Sequence, residues 1–163
     1  MLEMMVAMAI LVISGAVAIP YFSSLRRDRE LHTQARLLVA RFAKARGLAA
    51  AGQRDRAWAP GERTINAGIR ILSPTSYEVF IDRNTSSDGD EVIVEHVDFT
   101  EAARGIPLEF ADLGDDPMEI RYKANGALET PTADTIDITL RDTDSERERV
   151  VRVTYSGLAK IHL

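Results

Sequence analysis

The chain has 163 residues and no cysteine. This length gives room for one helix-plus-head unit rather than two independent domains. The absence of cysteine excludes a disulfide framework, a thiolate metal site and a cysteine nucleophile. The charge is split, since residues 1–56 carry a net charge of +5 and residues 57–163 a net charge of −10, against −5 for the whole chain. An acidic C-terminal part argues against nucleic acid as its main ligand, because phosphate binding needs a basic surface.

The first segment of the chain is apolar and long enough to cross a bilayer. Glu3 is its only charged residue before Arg26. From Met4 to Phe22 the apolar run is interrupted only by Ser14, Gly15 and Pro20. A helix needs roughly 20 such residues to span the hydrocarbon core. A carboxylate at the edge of such a run is costly in lipid and indicates a functional residue.

The residues around Glu3 resemble the N-terminus of a type IV pilin or pseudopilin. The similarity covers Leu2-Glu3-Met4-Met5-Val6, the apolar run and Ala18-Ile19-Pro20. The family pattern begins, after the cut by prepilin peptidase, with Phe-Thr-x-Leu-Glu. Here Met1-Leu2-Glu3 supplies the end of this pattern, whereas Phe-Thr and the basic leader are not in the sequence, so Met1 is either the start or an internal residue that follows them. A basic leader that ends in Gly-Phe-Thr directly before Met1 would support the resemblance. Cleavage and N-methylation are implied by the resemblance alone.

Two other interpretations of the apolar segment remain. A removable signal peptide needs a basic start and a small-x-small cleavage site, whereas this segment has Glu3 at its start. A plain single-span anchor explains the apolar run but not the combination of Leu2-Glu3 with Pro20.

The helix is predicted to continue beyond Pro20, with a kink there rather than an end, because proline removes one intrahelical hydrogen bond. From Ser23 to Ala51 the sequence is amphipathic, and Gly52-Gln53 is the predicted stop. The helix is thus about 50 residues long, near 75 Å. The apolar stripe predicted to pack on a sheet is Leu31, Ala35, Leu38, Phe42, Ala45 and Ala49.

After a connector at Arg54–Gly61, apolar residues alternate with period two, which is typical of strands. Val92–Val97 is also predicted to be a strand, with an ambiguous buried face. Asn125-Gly126 and Ser156-Gly157 are predicted hairpin turns. The predicted alternating sets are Ile65, Ala67, Ile69 and Ile71; Tyr77, Val79 and Ile81; Ile106, Leu108 and Phe110; Met118, Ile120 and Tyr122; Ile136, Ile138 and Leu140; Val151, Val153 and Tyr155; and Ala159, Ile161 and Leu163.

These patterns predict an α+β fold, in which a long N-terminal helix packs on an antiparallel β-sheet or two-sheet sandwich head. We expect three parts: residues 1–24 as a transmembrane or filament-core helix half, 25–56 as an amphipathic helix half on the head, and 57–163 as an acidic β-rich head. The order of parts resembles the GspH/FimT class of minor pilins and pseudopilins. The similarity also covers Leu37–Gly52, Tyr77–Asn84 and the later Asn-Gly and Ser-Gly turns.

A possible calcium loop follows the second predicted strand, in Asp82, Asn84, Asp88 and Asp90. The spacing begins like a calcium loop, but Ser87 replaces the expected glycine and Ile93 the twelfth-position glutamate. The alternative is a solvated hairpin whose side chains cap their own backbone.

No catalytic motif is present, so we expect a protein that is not an enzyme and has no cofactor apart from this calcium candidate. The three histidines, His32, His96 and His162, have no second histidine at helix or strand spacing, which makes zinc improbable.

The resemblance implies a minor pilin that enters or primes a type IV pilus-like filament. Expected partners are other minor and major pilins or pseudopilins, an inner-membrane assembly platform and prepilin peptidase, with nucleic acid not expected. Before assembly the chain would be single-pass in the inner membrane with its head in the periplasm. The alternatives are a minor pseudopilin of a type II secretion system and a membrane-anchored binding domain that does not polymerise.

The resemblance assigns roles to residues of the first helix half. Glu3 would pair with a subunit's α-amine during assembly, although a carboxylate that only sits among lipid headgroups is the alternative. Pro20 would kink the helix. The predicted filament-core packing residues are Met4, Met5, Val6, Met8, Ile10, Leu11, Ile13, Val17 and Ile19.

Overall fold

A computed structural model describes residues 2–52, 66–82, 91–103, 105–111, 117–129 and 135–162. A long N-terminal helix is followed by a head of antiparallel strands and one short helix. The elements are α1 Leu2–Gly52, β1 Asn66–Ser73, β2 Ser76–Asp82, β3 Glu91–Asp98, α2 Phe99–Ala102, β4 Leu108–Ala111, β5 Met118–Tyr122, β6 Thr135–Asp142, β7 Arg147–Thr154 and β8 Ala159–His162.

Helix α1 runs without a break through Pro20 and ends at Gly52. The proline therefore does not end the helix. The predicted stop at Gly52-Gln53 falls at the limit of the described residues, since Gln53 lies outside them. The side chains at the predicted spacing of three and four are fully buried in the second half of the helix, at 0% exposure: Leu31, Ala35, Leu38, Phe42, Ala45 and Ala49. This stripe is one face of a 3.6-residue helix, and it is the face that contacts the strands.

The strands form two four-stranded antiparallel sheets. The first sheet has the order β3-β2-β1-β5 and the second the order β4-β6-β7-β8. Helix α1 contacts strands of both sheets, mainly β1 in the first and β7 in the second. The two-sheet form of the predicted head is therefore the one found, with the helix packed against both sheets.

The core lies between the helix stripe and the inner faces of the sheets. In β1 the alternation places Ala67, Ile69 and Ile71 inward, each almost fully buried. Three aromatic rings fill the end of the core near α2, with centroids 5.1–5.7 Å apart, in the edge or tilted geometries that aromatic pairs prefer. These rings belong to Tyr77, Phe99 and Phe110.

The two predicted hairpin turns are confirmed. Gly126 and Gly157 both have φ near +78° (78° and 77°), a backbone conformation that glycine adopts without steric cost. A Cβ at position 157 would lie only 2.8 Å from the ring of Tyr122, so this turn also needs the bare glycine for close packing. The first turn connects β5 to Leu128, which forms a β-bridge with Tyr122, and the second connects β7 to β8.

The structure differs from the sequence predictions in several places. Strand β7 ends at Thr154, so Tyr155, predicted to alternate with Val151 and Val153 in a strand, lies in the β7–β8 turn and is 52% exposed. Strand β4 begins at Leu108 and not at Ile106, because the N–H of Ile106 bonds to the carbonyl of Ala103 in the turn after α2. In β2, Phe80 lies on the face opposite Tyr77 and is fully buried, although it is not among the residues predicted from the alternation.

The ambiguous strand is β3, at the edge of the first sheet. Val97 is its buried residue, while Val92, Ile93 and Val94 are 37–59% exposed. A register shift between Val79 and Phe80 of the neighbouring strand interrupts the pairing, and such irregularities are common at sheet edges. The connector at 54–61, Ile65 and Leu163 lie outside the described residues.

Candidate assembly surface

The first half of α1 extends from the head with its apolar side chains exposed. Large side chains on all sides of the helix are half or more exposed, with Leu11 at 72% and Ile19 at 72%. None of the most apolar 18-residue window is buried inside the protein, so this segment is not the core helix of the head. Within the part of the chain that the structure describes, one helix is long and apolar enough to cross a membrane, and it lies near the N-terminus.

The residues predicted to pack in a filament core lie on this exposed segment. Those with described side chains are Met4, Met5, Val6, Met8, Ile10, Leu11, Ile13 and Ile19, and each is at least 51% exposed. The side chains of Val17 and Pro20 lie outside the description, although both residues are helical. Burial of each such side chain is favourable by about 1.5–3 kcal/mol relative to its exposure to water. Transfer of the exposed segment from water into an apolar environment is therefore favourable.

Glu3 lies in the first turn of α1, with its side chain exposed. A carboxylate there interacts favourably with the positive end of the helix dipole. Glu3 makes no ion pair with the residues that the structure describes. Its position leaves the carboxylate available to a group from outside the chain.

The helix is bound to the head directly after the apolar segment. Arg147, at the start of β7, donates hydrogen bonds to the carbonyl and hydroxyl oxygens of Ser24, at 3.2 and 2.9 Å. Two residues along the strand, Arg149 donates to Oδ1 of Asp28 at 2.6 Å. Strand residues i and i+2 share a face, as do helix residues i and i+4, so the two contacts form a matched pair. We call these four residues the neck contact.

A third arginine reinforces the neck from the helix side. Nη1 of Arg27 lies 2.8 Å from Oδ2 of Asp144 in the β6–β7 turn. Asp142, which is 1% exposed, organises that turn by accepting hydrogen bonds from the backbone N–H of Asp144 and the hydroxyl of Ser145. The turn is thus held both internally and against the helix. No signal in the sequence near this turn indicates its contact with α1, because Arg27 and Asp144 are far apart in the chain.

Nearer the C-terminal end of α1, Arg41 and Lys44 form ion pairs with Glu95 of β3. Their side-chain nitrogens lie 2.8 and 2.9 Å from its carboxylate oxygens. The hydrogen bond from Lys44, with help from Arg41, lowers the pKa of Glu95. Arg41 also donates to the hydroxyl of Tyr77 at 2.7 Å. Burial raises the pKa of Tyr77 to about 12, so this phenol stays neutral at physiological pH.

The outer face of the first sheet carries a charged network over an aromatic ring. The guanidinium groups of Arg70 and Arg121 lie 4.8 and 5.5 Å from the ring centroid of Phe80. Both arginines bind Glu91 and Glu119. Two further carboxylates complete the network, Glu78 on Arg70 and Asp82 on Arg121. This cover explains why Phe80 is buried although it lies on the outer face of the sheet.

Of the four predicted calcium ligands, Asp82 alone lies within the described residues. Asp82 accepts a hydrogen bond from Nη1 of Arg121 at 2.9 Å, so one candidate ligand is already bound to a cation. Asn84, Asp88 and Asp90 lie outside the described residues. Within the described residues, no group of three or more His, Asp or Glu side chains is arranged to hold a metal ion.

Comparison of this chain with models of protein families, with curated proteins and with solved structures gives no match. The fold alone therefore defines the class of this protein. It is an α+β protein with a long N-terminal helix whose apolar first half could cross a membrane and whose second half packs on antiparallel sheets.

Proposed function

We propose that this chain is a minor pilin, a subunit that enters or primes a type IV pilus-like filament. The observation that carries the proposal is the continuity of α1, in which an apolar segment that the head does not bury joins a segment fixed to the folded head. The similarity of Leu2–Val6 and of the Pro20 region to pilin N-termini gives this architecture its particular interpretation. In this role the protein is structural and catalyses no reaction.

Two successive environments suit the apolar segment of such a subunit. Before assembly, lipid would surround it, with the chain single-pass in the inner membrane and the head in the periplasm. After assembly, the same segment would bundle with those of other subunits in the filament core. Both environments remove the same exposed side chains from water, so a change from one to the other costs little hydrophobic free energy.

In this proposal Glu3 provides the specificity that apolar packing lacks. An ionised carboxylate among apolar side chains is unfavourable unless it is paired. A protonated α-amine, exposed when a leader is removed a few residues earlier, would supply the partner charge on this or the next subunit. Pairing of the two would fix the axial register of subunits, because it occurs at only one height along the helix.

The partners of this proposal are other minor pilins, the major pilin, the inner-membrane assembly platform and prepilin peptidase. A minor pseudopilin of a type II secretion system has the same architecture and the corresponding pseudopilin partners. The neighbouring genes distinguish these two branches, since pilus genes or secretion genes would surround this one.

The test is incorporation of Glu3→Val in the native host. Ser14→Val is the matched control, since it adds an apolar side chain to the same exposed segment without removing a carboxylate. We expect both variants to fractionate with membranes, and only Glu3→Val to be lost from sheared filaments or from complexes with other minor subunits. Normal incorporation of Glu3→Val would contradict the pairing role. Absence of the unmodified protein from all filaments would instead favour the membrane-anchored binding domain.

A further inference from the structure

The back of α1, which faces away from the head, carries a second stripe with the same spacing as the buried one. Its residues follow one another at intervals of three and four, and all are exposed. Three of them are arginines, and the described residues supply no ion pair to any of these three. No acidic residue lies on this line. We call this surface the basic stripe, and it comprises Arg26, Arg29, Thr33, Arg36, Ala40, Ala43 and Gly47.

The head carries an acidic groove on the outer face of the second sheet. Glu109, Arg141 and Glu148 lie side by side there on β4, β6 and β7, and Glu146 lies in the adjoining turn. Arg141 binds Glu109 at 2.7 Å, while Glu146 and Glu148 are exposed and make no ion pair with the described residues. The groove, which Thr143 also lines, thus has three carboxylates and one guanidinium.

The basic stripe and the acidic groove are complementary but cannot meet within one chain. The stripe is opposite the face of α1 that packs on the sheets, and the groove is on the outer side of the second sheet. We propose that the acidic groove of a second copy of this chain docks on the basic stripe. This inference rests on the proposed function, because a contact that joins two different surfaces is the head-to-tail kind by which neighbouring subunits of a filament pack.

A membrane surface fits the basic stripe less well than a second head does. Arg26 and Arg36 are ten residues apart, about 15 Å along the helix axis. The headgroup layer on each side of a bilayer is only about 5–8 Å thick. Phosphate groups can therefore reach Arg26 and Arg29 but not Arg36. Above Arg36 the stripe continues with Ala40, Ala43 and Gly47, whose small side chains let another surface approach closely.

The test uses disulfide cross-linking between two differently tagged full-length copies in native membranes. The chain has no cysteine, so every introduced thiol is unique. One copy carries Ala40→Cys on the stripe and the other Thr143→Cys at the groove. The matched control replaces Thr143→Cys by Leu158→Cys, an exposed position in the β7–β8 turn, away from the groove. We expect a cross-linked pair with Thr143→Cys and little with Leu158→Cys, and the yield should fall as salt is added.

Charge reversal identifies the interaction responsible. Arg29→Glu with Arg36→Glu in the stripe copy should lower the yield about tenfold, as should Glu146→Arg with Glu148→Arg in the groove copy. Combining the two reversed copies should restore the yield, since the charges again oppose. Equal yields from all four combinations, or from the Leu158→Cys control, would overturn the proposal.

Two readouts separate this inference from the proposed function. If the unmodified protein is found in filaments but the cross-link is insensitive to charge, the docking proposal fails and the filament proposal stands. If the charge-dependent cross-link forms in membranes while no filament contains the protein, the docking proposal stands and the filament proposal fails. If no cross-linked pair forms, and the protein instead binds liposomes of anionic lipids in a manner that requires Arg36, the docking proposal is also overturned.

Discussion

Arg149 on β7 and Asp28 on α1 form the central pair of the neck contact, with Nη2 of the arginine 2.6 Å from Oδ1 of the aspartate. The two residues are 121 positions apart in the chain. Together with Arg147 and Ser24, they fix the head to the helix one turn above the last aromatic residue of the apolar segment. The neck contact therefore adds a polar attachment to the one that the buried stripe already makes between helix and head.

We expect Arg149→Ala and Asp28→Ala to destabilise the head in a coupled manner. Because both side chains are partly exposed, the coupling energy in a double-mutant cycle should be about 0.5–1 kcal/mol. The measurement is thermal unfolding of the full chain in detergent, followed by the circular dichroism of the strands. Arg152→Ala with Asp137→Ala is the matched control, since that pair is on the sheet surface and does not contact the helix. Purely additive effects of the neck variants would contradict the prediction.

Gly68 and Gly47 provide a matched pair of glycine substitutions with opposite expected effects. A Cβ at position 68 would lie 2.5 Å from the carbonyl oxygen of Ile120 and 2.7 Å from the ring of Phe80. A Cβ at position 47 would have no atom within 4 Å apart from its own helix. Gly68→Ala should therefore destabilise the head by about 1–3 kcal/mol, as overpacking does. Gly47→Ala should stabilise the helix by about 1 kcal/mol. Chemical denaturation of the two variants measures both effects.

Glu95 makes the stability of the head depend on pH. Its pKa is lowered in the folded protein by the hydrogen bond from Lys44, so its ionised form favours the folded state. This stabilisation is present above the ordinary glutamate pKa and is lost as the pH falls through the lowered value. Glu95→Gln should thus be less stable than the unmodified protein at pH 7, and the difference should disappear in acid, below the usual glutamate range.

The control for this prediction is Glu146→Gln, since Glu146 is exposed and makes no ion pair with the described residues. Its stability should follow that of the unmodified protein at every pH. A Glu95→Gln variant whose stability differs from the unmodified protein equally at pH 7 and in acid would show that packing, rather than charge, holds Glu95.

Local periodicity predicted the packing of this fold better than its polar contacts. The spacing of Leu31, Leu38 and Phe42 identified the buried helix face, because a helix repeats every 3.6 residues whatever it packs on. The alternation in β1 identified its inner face for a similar reason. These signals lie within one element, so they are visible in the sequence.

The missed features arise from contacts between elements that are distant in the chain. Nothing near Phe80 indicates that Arg70 and Arg121 will cover its ring, since Arg121 comes from a strand about 40 residues later. Similarly, the pairing of Arg149 with Asp28 depends on the order of strands in the second sheet. Strand order is set by the whole fold, and a period-two pattern within one strand does not encode it.

Truncation to residues 25–163 should leave a soluble, folded head. The buried stripe begins at Leu31, so this truncation removes no core side chain and only the Ser24 half of the neck contact. We expect strand-rich circular dichroism and a cooperative thermal transition. Phe42→Ala in the truncated chain should lower its stability by about 3–5 kcal/mol, because it leaves a cavity under both sheets. A truncated chain that aggregates at neutral pH would contradict the idea that the apolar half is separable.

The last prediction concerns which side of the membrane the head occupies. Arg26, Arg27 and Arg29 follow directly after the apolar segment, whereas Glu3 is the only charged side chain before it. The positive-inside rule favours the cytoplasm for the side that is richer in lysine and arginine. These arginines alone would keep the head inside, which opposes the periplasmic location of our proposal. A basic leader before Met1, as the resemblance to pilins implies, would restore the balance toward a head outside.

Alkaline phosphatase fused after Leu163 measures this directly, because the enzyme is active only in the periplasm. We expect a chain preceded by a leader rich in lysine and arginine, ending in Gly-Phe-Thr, to give several-fold more activity than a chain that starts at Met1. Replacing the leader's basic residues with glutamine should lower the activity. Arg26→Gln with Arg29→Gln should raise the activity of the leaderless chain, because the side chains of both residues are exposed and neither belongs to the neck contact. Equal activity of all these fusions would show that flanking charge does not set the orientation of α1.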